Sequence, residues 1–321
     1  MRVVRFVLFR LSVALLTLFG VSIIVFAAIR FVPGGFEDVV LGPFGTPETR
    51  EAVRAKYGLD RPHLEQYVLW LGATTKGDFG TSLTTGQPVA AEIIRRAPAT
   101  IQLALMSTLL AIVVGVPLGV ASGVTSTNRV ARAAGRLVGA LGASVPTFVL
   151  GTVFVFVFSV WSLGVTVGGY VPFFEDPLAN IRAMTLPVVT LSVFGMALIQ
   201  RTTRDSVLNV TSETHITAAV ARGERPPDII RGHVLRNASI PIVTVTTVFL
   251  AYLLGGAVIV EQMYSVPGIA VYVVQSVENR DYLVVQAGVL LAATFFVSIN
   301  ILADAIYALI DPRIGGQRRD S

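Results

Sequence analysis

The stretch RTTRDSVLNVTSETHITAAVARGERPPDIIRGHVLRNASIP, Arg201 to Pro241, is polar, yet long apolar runs lie on both sides of it. It reads as a helical hairpin held between two membrane spans. A first arm, Asp205 to Arg222, ends at Gly223, which can take the left-handed conformation just past a helix C-terminus. Pro226 and Pro227 then fit the first turn of a second helix, where no intrahelical N–H partner is needed, and Asp228 complements the positive end of its dipole. Ile229, Ile230, His233 and Val234 share one face at helical spacing. Ala218, Ala219, Ala221 and Gly223 are small enough to let a partner approach the backbone, and Arg222, Arg225 and Arg231 offer charge-assisted contacts around them. The competing reading is a solvated loop whose alanines reflect only helix propensity.

Composition decides where such a hairpin belongs. Of 321 residues, 53% are hydrophobic and 14% charged, and the mean hydropathy is +0.71. A soluble domain carries about 25% charged residues, so the chain is an integral membrane protein. The net charge of +5 comes from arginines clustered beside apolar runs, as topology signals do, which argues against nucleic-acid binding. With no cysteine, thiolate metal sites and disulfides are excluded. His63, His215 and His233 lie in separate polar segments without ligand spacing, so no metal site is expected.

Six apolar runs are near the roughly 20 residues that cross a bilayer as a helix: Leu11–Ile29, Ile101–Val124, Leu137–Trp161, Leu186–Ile199, Ile240–Val260 and Val284–Leu309. The fourth is the shortest and is expected to extend back to Met184 and on through Gln200. Arg129, Arg132 and Arg136 sit in one short loop with no acid, which puts that loop inside by the positive-inside rule. Alternating sides then makes both termini cytoplasmic. The expected fold is thus all-α with six transmembrane helices: residues 1–31 as N-terminus and first span, 32–99 as a small extracytoplasmic subdomain, 100–310 as the core, and 311–321 as a cytoplasmic tail. The hairpin, 201–239, falls in the cytoplasm between the fourth and fifth spans. In the outer segment Arg50–Lys56 and Pro62–Leu71 read as short amphipathic helices, with Tyr67, Leu69 and Trp70 as contact residues.

Thr217-Ala218-Ala219, then Gly223 and Ala238-Ser239-Ile240-Pro241, resembles the "EAA" coupling loop of permease subunits in ATP-binding-cassette importers. Further stretches resemble the first permease of the dipeptide/oligopeptide (nickel) branch: Tyr57-Gly58-Leu59-Asp60-Arg61-Pro62, Gly77-Asp78-Phe79-Gly80-Thr81-Ser82-Leu83, Gly115-Val116-Pro117-Leu118-Gly119, Leu254-Gly255-Gly256-Ala257, Arg280-Asp281-Tyr282 and Asp311-Pro312-Arg313. The likeness is collinear over nearly the whole chain. Two departures are Thr217, where many importers carry glutamate, and Pro226-Pro227 between the arms, where polar residues are usual.

The resemblance implies a multi-pass permease of the cytoplasmic (inner) membrane. Its partners would be a second, homologous permease in a heterodimer, two cytoplasmic ATPases that hold ATP and Mg, and an extracytoplasmic solute-binding protein. It makes Thr217, Ala218, Ala219, Ala221, Arg222, Gly223, Arg225 and Arg231 the ATPase-docking residues. Polar residues within spans are candidates for the translocation path, above all Gln102, Thr147, Gln200, Thr244 and Gln286, though hydroxyls in membrane helices often bond their own backbone or neighbouring helices. Pro117 and Pro146 can kink their spans, Gly255-Gly256 permits close helix approach, and Glu261 is expected at the outer interface.

No phosphate-binding loop is present, since Lys56 precedes Tyr57 and Lys76 precedes Gly77, and no catalytic grouping or resident cofactor is expected. The resemblance makes short peptides the expected cargo, with nickel complexes, haem or other small conjugates as alternatives. A stand-alone secondary transporter or channel would need titratable midplane groups and broken helices in matching halves, and neither is evident.

Overall fold

Apolar runs of about 20 residues satisfy their backbone groups in lipid as helices. In the computed structural model, which describes residues 2–30, 41, 46–124, 129–161 and 164–310, the regular elements are all helical. The β pairing among the described residues is a single antiparallel bridge between Thr81 and Pro88. The tail from Asp311 with Arg313, Arg318 and Arg319, and most of the segment 31–45, lie outside the described residues.

Helix α1 is Arg2–Arg30. Two short helices follow, α2 (Pro47–Tyr57) and α3 (His63–Thr74), then α4 (Val89–Val124), α5 (Arg129–Ser144), α6 (Thr147–Val160) and α7 (Pro177–Thr211). The hairpin region contributes α8 (Thr214–Ala221), α9 (Pro226–Ile229) and a π-helical turn (Ile230–Val234); α10 (Leu235–Gly256), α11 (Val258–Met263), α12 (Ile269–Glu278) and α13 (Tyr282–Ile310) complete the described chain. Among the described residues, five helical stretches are long and apolar enough to cross a membrane: Leu8–Arg30, α4, α7, Pro226–Gly256 and α13.

The expected run Leu137–Trp161 is divided. Helix α5 stops at Ser144 and α6 starts at Thr147, with Pro146 extended at ψ 140 between them. Proline lacks an N–H and drives the residue before it out of the helical region, so each piece is shorter than a membrane crossing. The run Leu186–Ile199, by contrast, is the centre of a 35-residue helix that passes through Pro187. Helix α4 begins at Val89, twelve residues before Ile101, where its apolar run starts.

Backbone proximity divides the chain into two units: residues 1–6, 101–266 and 298–321, and residues 7–100 and 267–297. In the first unit, glycines bring helices into contact. Gly115, Gly119 and Gly123 recur every four residues on α4 and face α7; a Cβ at 119 would lie 2.5 Å from the Thr203 Cβ and 2.8 Å from the Gln200 carbonyl oxygen. Gly142 of α5 meets the backbone of Val193, and Gly195 of α7 meets the Phe249 ring of α10. Among the described residues Gly255 and Gly256 do not serve this purpose: a Cβ at 255 would meet nothing within 4 Å, and one at 256 only the Val258 side chain. Glu261, expected at an interface, is fully buried on α11, the short helix that follows Ala257. Tyr264 follows it into the interior, where its hydroxyl bonds Thr190 Oγ1 at 2.8 Å.

In the second unit, Val89 and Ile93 of α4 pack with Ile269 and Tyr272 of α12 and Val284 and Ala287 of α13. The Thr81–Pro88 turn is fastened to this core by Asp281. Its Oδ2 accepts from Ser82 Oγ (2.5 Å), Thr84 Oγ1 (3.0 Å) and the Thr84 N–H (3.3 Å).

Candidate docking hairpin and path residues

The hairpin forms by local rules. Near the end of α7, Thr211 Oγ1 donates to the Leu208 carbonyl (3.0 Å) and Ser212 Oγ to that of Asn209 (2.7 Å). Such side-chain bonds compete with the helix, and α7 ends there. The expected arm Asp205–Arg222 is therefore two pieces, the tail of α7 and the separate helix α8. Helix α8 closes on Gly223 at φ +77. The Glu224 N–H reaches the Ala219 carbonyl (3.2 Å) and the Gly223 N–H that of Val220 (2.9 Å), the paired bonds of a glycine-closed helix end. Pro226 then opens α9, as its missing N–H permits.

One face of this hairpin packs on its own chain. Val207 and Val210 of α7, Ile216 and Ala219 of α8, Ile229, Val234 and Ala238 form one buried cluster against Val120 and Val124 of α4. Burying each valine or isoleucine is worth on the order of 1.5–3 kcal/mol. The other face is open: Thr217, Ala218, Val220, Ala221, Arg222, Gly223, Arg225 and Arg231 are exposed, while Ala219 is turned fully inward. The eight candidate docking residues thus divide into seven on the open face and one that holds α8 to the cluster.

Polar bonds tie the loop. Glu224 accepts from Arg222 through Nε (3.1 Å) and Nη2 (2.6 Å), and from the other arm His233 Nε2 lies 3.1 Å from it. The Arg222 hydrogen bond, with help from His233, holds the Glu224 carboxyl below the usual carboxylate range against the opposing effect of desolvation. His215 pairs with Glu213 (3.1 Å), and its ring centroid is 6.2 Å from that of His233.

The path candidates meet separate partners. Gln102 exchanges amide bonds with fully buried Asn180, which also donates to the Val171 carbonyl (2.7 Å), so this pair joins α4 to the start of α7. Gln200 is buried, donates to Ser122 Oγ (3.2 Å), and lines a cavity of about 560 Å³ with Gly135, Gly139, Phe194, Arg201 and Arg204. Thr147 is half-buried at the first position of α6. Thr244 is exposed on α10, donates to the Ile240 carbonyl and accepts from the Tyr307 hydroxyl at 2.8 Å. Gln286, in the second unit, is buried with its Nε2 unbonded. Asn180 and Ser122 escape the sequence reading because a short polar residue near a helix end gives no signal of its own. Asp281 had one in the stretch Arg280-Asp281-Tyr282, but its partners Ser82 and Thr84 lie about two hundred residues away.

Among the described residues no cluster of three or more histidine and acidic side chains is placed to hold a metal. Residues 115–316 match the family described as binding-protein-dependent transport system inner membrane component, and residues 3–104 match its N-terminal counterpart. The chain belongs to this inner membrane component family. A probable peptide ABC transporter permease of Sinorhizobium fredii is 37% identical over 96% of this chain and 98% of its own length. A di/tripeptide permease of Pseudomonas aeruginosa is 33% identical over 98% and 99%, and a glutathione permease of Escherichia coli 35% identical over 97% and 98%. A solved chain of the MetNI methionine ABC transporter in an inward-facing conformation aligns at a TM-score of 0.52 with 19% identity, covering 68% of this chain and 96% of that one; this likeness carries the fold. As an inner membrane component, the chain is a multi-pass transport permease of the cell's inner membrane rather than an enzyme.

Proposed function

We propose that the chain is the first permease of an ATP-driven importer of short peptides. The observation that carries this is the hairpin, closed on one side by an apolar cluster and open on the other along α8, joined to collinear likeness with peptide permeases of matching length. Thr217, Ala218, Ala219, Ala221, Arg222, Gly223, Arg225 and Arg231 form the ATPase-docking segment, with Ala219 contributing from the inside. Six crossings follow if α5 and α6 act as one broken span, which puts both termini and the hairpin in the cytoplasm and residues 32–99 outside. ATP and Mg are held by two partner ATPases, a homologous permease completes the pair, and a solute-binding protein delivers cargo. Gln200, beside a cavity, is the preferred path residue; Gln102, Thr147, Thr244 and Gln286 are secondary. ATP then favours one of two packings of the permease pair by a few kcal/mol.

Uptake by whole cells of labelled di- and tripeptides, with and without this chain, tests the reading. Loss of peptide uptake on deletion, restored by the wild-type gene and abolished by ATP depletion, is expected. Unchanged peptide uptake with loss of nickel-complex or haem uptake would transfer the chain to another cargo of the same class.

A further inference from the structure

We propose that a cavity at the end of α1 binds a phosphate group supplied by a membrane phospholipid, and that Arg30 holds it. The cavity, about 330 Å³, lies within the second unit and is lined by Arg30, Tyr57, Gln66, Trp70, Tyr282 and Gln286, among others. Arg30 is half-buried and fixed before any ligand arrives. Its Nε and Nη2 donate to Gln66 Oε1 at 3.2 and 2.8 Å, and its guanidinium stacks 4.5 Å over the Phe26 ring. Gln66 is itself 7% exposed, and its Nε2 is committed to the carbonyls of Leu59 (3.1 Å) and Arg61 (2.8 Å), so its oxygen has one direction to point.

What Arg30 lacks is an anion. Arg61, Arg95 and Arg96 each meet a carboxylate, but among the described residues none pairs with Arg30. A charge taken out of water without a counter-ion is costly, and Gln66 gives it only a neutral acceptor. The guanidinium fork has five N–H donors, and two of them are used here. The same cavity is lined by Gln286, whose buried Nε2 makes no hydrogen bond. A phosphate accepts both kinds of donor, and its oxygens match the fork.

The source follows from where the cavity lies. Arg30 is the last residue of the Leu8–Arg30 span, the level at which lipid phosphates meet a helix end. Below it α1 exposes Leu15, Leu16, Ile23 and Ile24, and beside it α3 exposes Leu64 and Val68, surfaces suited to acyl chains. Trp70 and Tyr67 pack on Phe26 at the same level, as aromatic rings do at membrane interfaces. The inference is independent of cargo and of the ATPase.

The full chain, purified in phosphate-free maltoside with whatever partners accompany it, is titrated with phosphatidylglycerol and read by native mass spectrometry. Wild type is expected to retain a phospholipid that Arg30→Gln binds about tenfold more weakly, the loss that charge-assisted bonds to one side chain carry, while Arg95→Gln retains it. If Arg30→Gln does not fold, phenylglyoxal labelling of wild-type Arg30 serves instead, with phosphatidylglycerol expected to protect it. Protection by millimolar inorganic phosphate but not by lipid would keep the phosphate and overturn the lipid as its source. Equal lipid binding by wild type and Arg30→Gln, or protection only by a short peptide, would overturn the site.

Discussion

At Gly119 a hydrogen atom stands where any other residue would put a carbon 2.5 Å from Thr203. Gly119→Val overpacks this contact, which costs about 1–3 kcal/mol, so the apparent melting temperature in detergent should fall; Gly255→Val, with open space around it, should leave it unchanged. The sequence reading places close helix approach at Gly255-Gly256 and misses the every-fourth spacing of Gly115, Gly119 and Gly123. Their partner face, Ile199, Thr203 and Val207, is not legible either, since nothing local tells α4 which helix it meets. Glu224 gives a second prediction at this scale. Its folded titration lies below that of the unfolded chain, so the stabilisation is present above the ordinary glutamate range and is lost as pH falls through the folded value. Hydrogen exchange should show α8 protection steady from neutral pH down to the ordinary glutamate range and falling as pH drops below it, and Glu224→Gln should remove the step. The same acid step in Glu224→Gln would contradict this assignment.

Among the elements, α8 separates docking from folding. Ala219 is fully buried and Ala218 exposed on the same helix. Ala219→Glu buries an unpaired charge, a loss of about 3 kcal/mol or more, and is expected to lower stability and disorder the hairpin. Ala218→Glu changes an exposed site and should stay within about 0.5 kcal/mol of wild type, as read by thermal unfolding. The hairpin's end at Gly223 and restart at Pro226 are legible because glycine and proline act through their own backbones. The division of the first arm at Ser212 is not, because Thr211 and Ser212 could equally have faced solvent and left the helix unbroken. Helix α7 extends beyond its apolar run for a related reason: polar residues flank its apolar centre, and their burial depends on α4 and α10 packing around it. Gln102 is legible as a polar residue within a span, but its partner Asn180 is not, because the pair joins two helices across 78 positions.

At the scale of the whole molecule, the chain has membrane helices, a closed hairpin with one open face, and no phosphate-binding loop. On the importer proposal, energy for transport enters through a partner ATPase, and the account places that entry on the open face of α8. This is tested by purifying tagged wild type, Ala218→Glu and Ala221→Glu in mild detergent and identifying the proteins that accompany each. The account predicts an ATPase and a second permease with wild type, and loss of the ATPase alone from both variants, whose melting temperatures match wild type. An ATPase retained by both variants would contradict the docking face; a wild-type chain that purifies alone and moves solute in liposomes without ATP would contradict the importer itself.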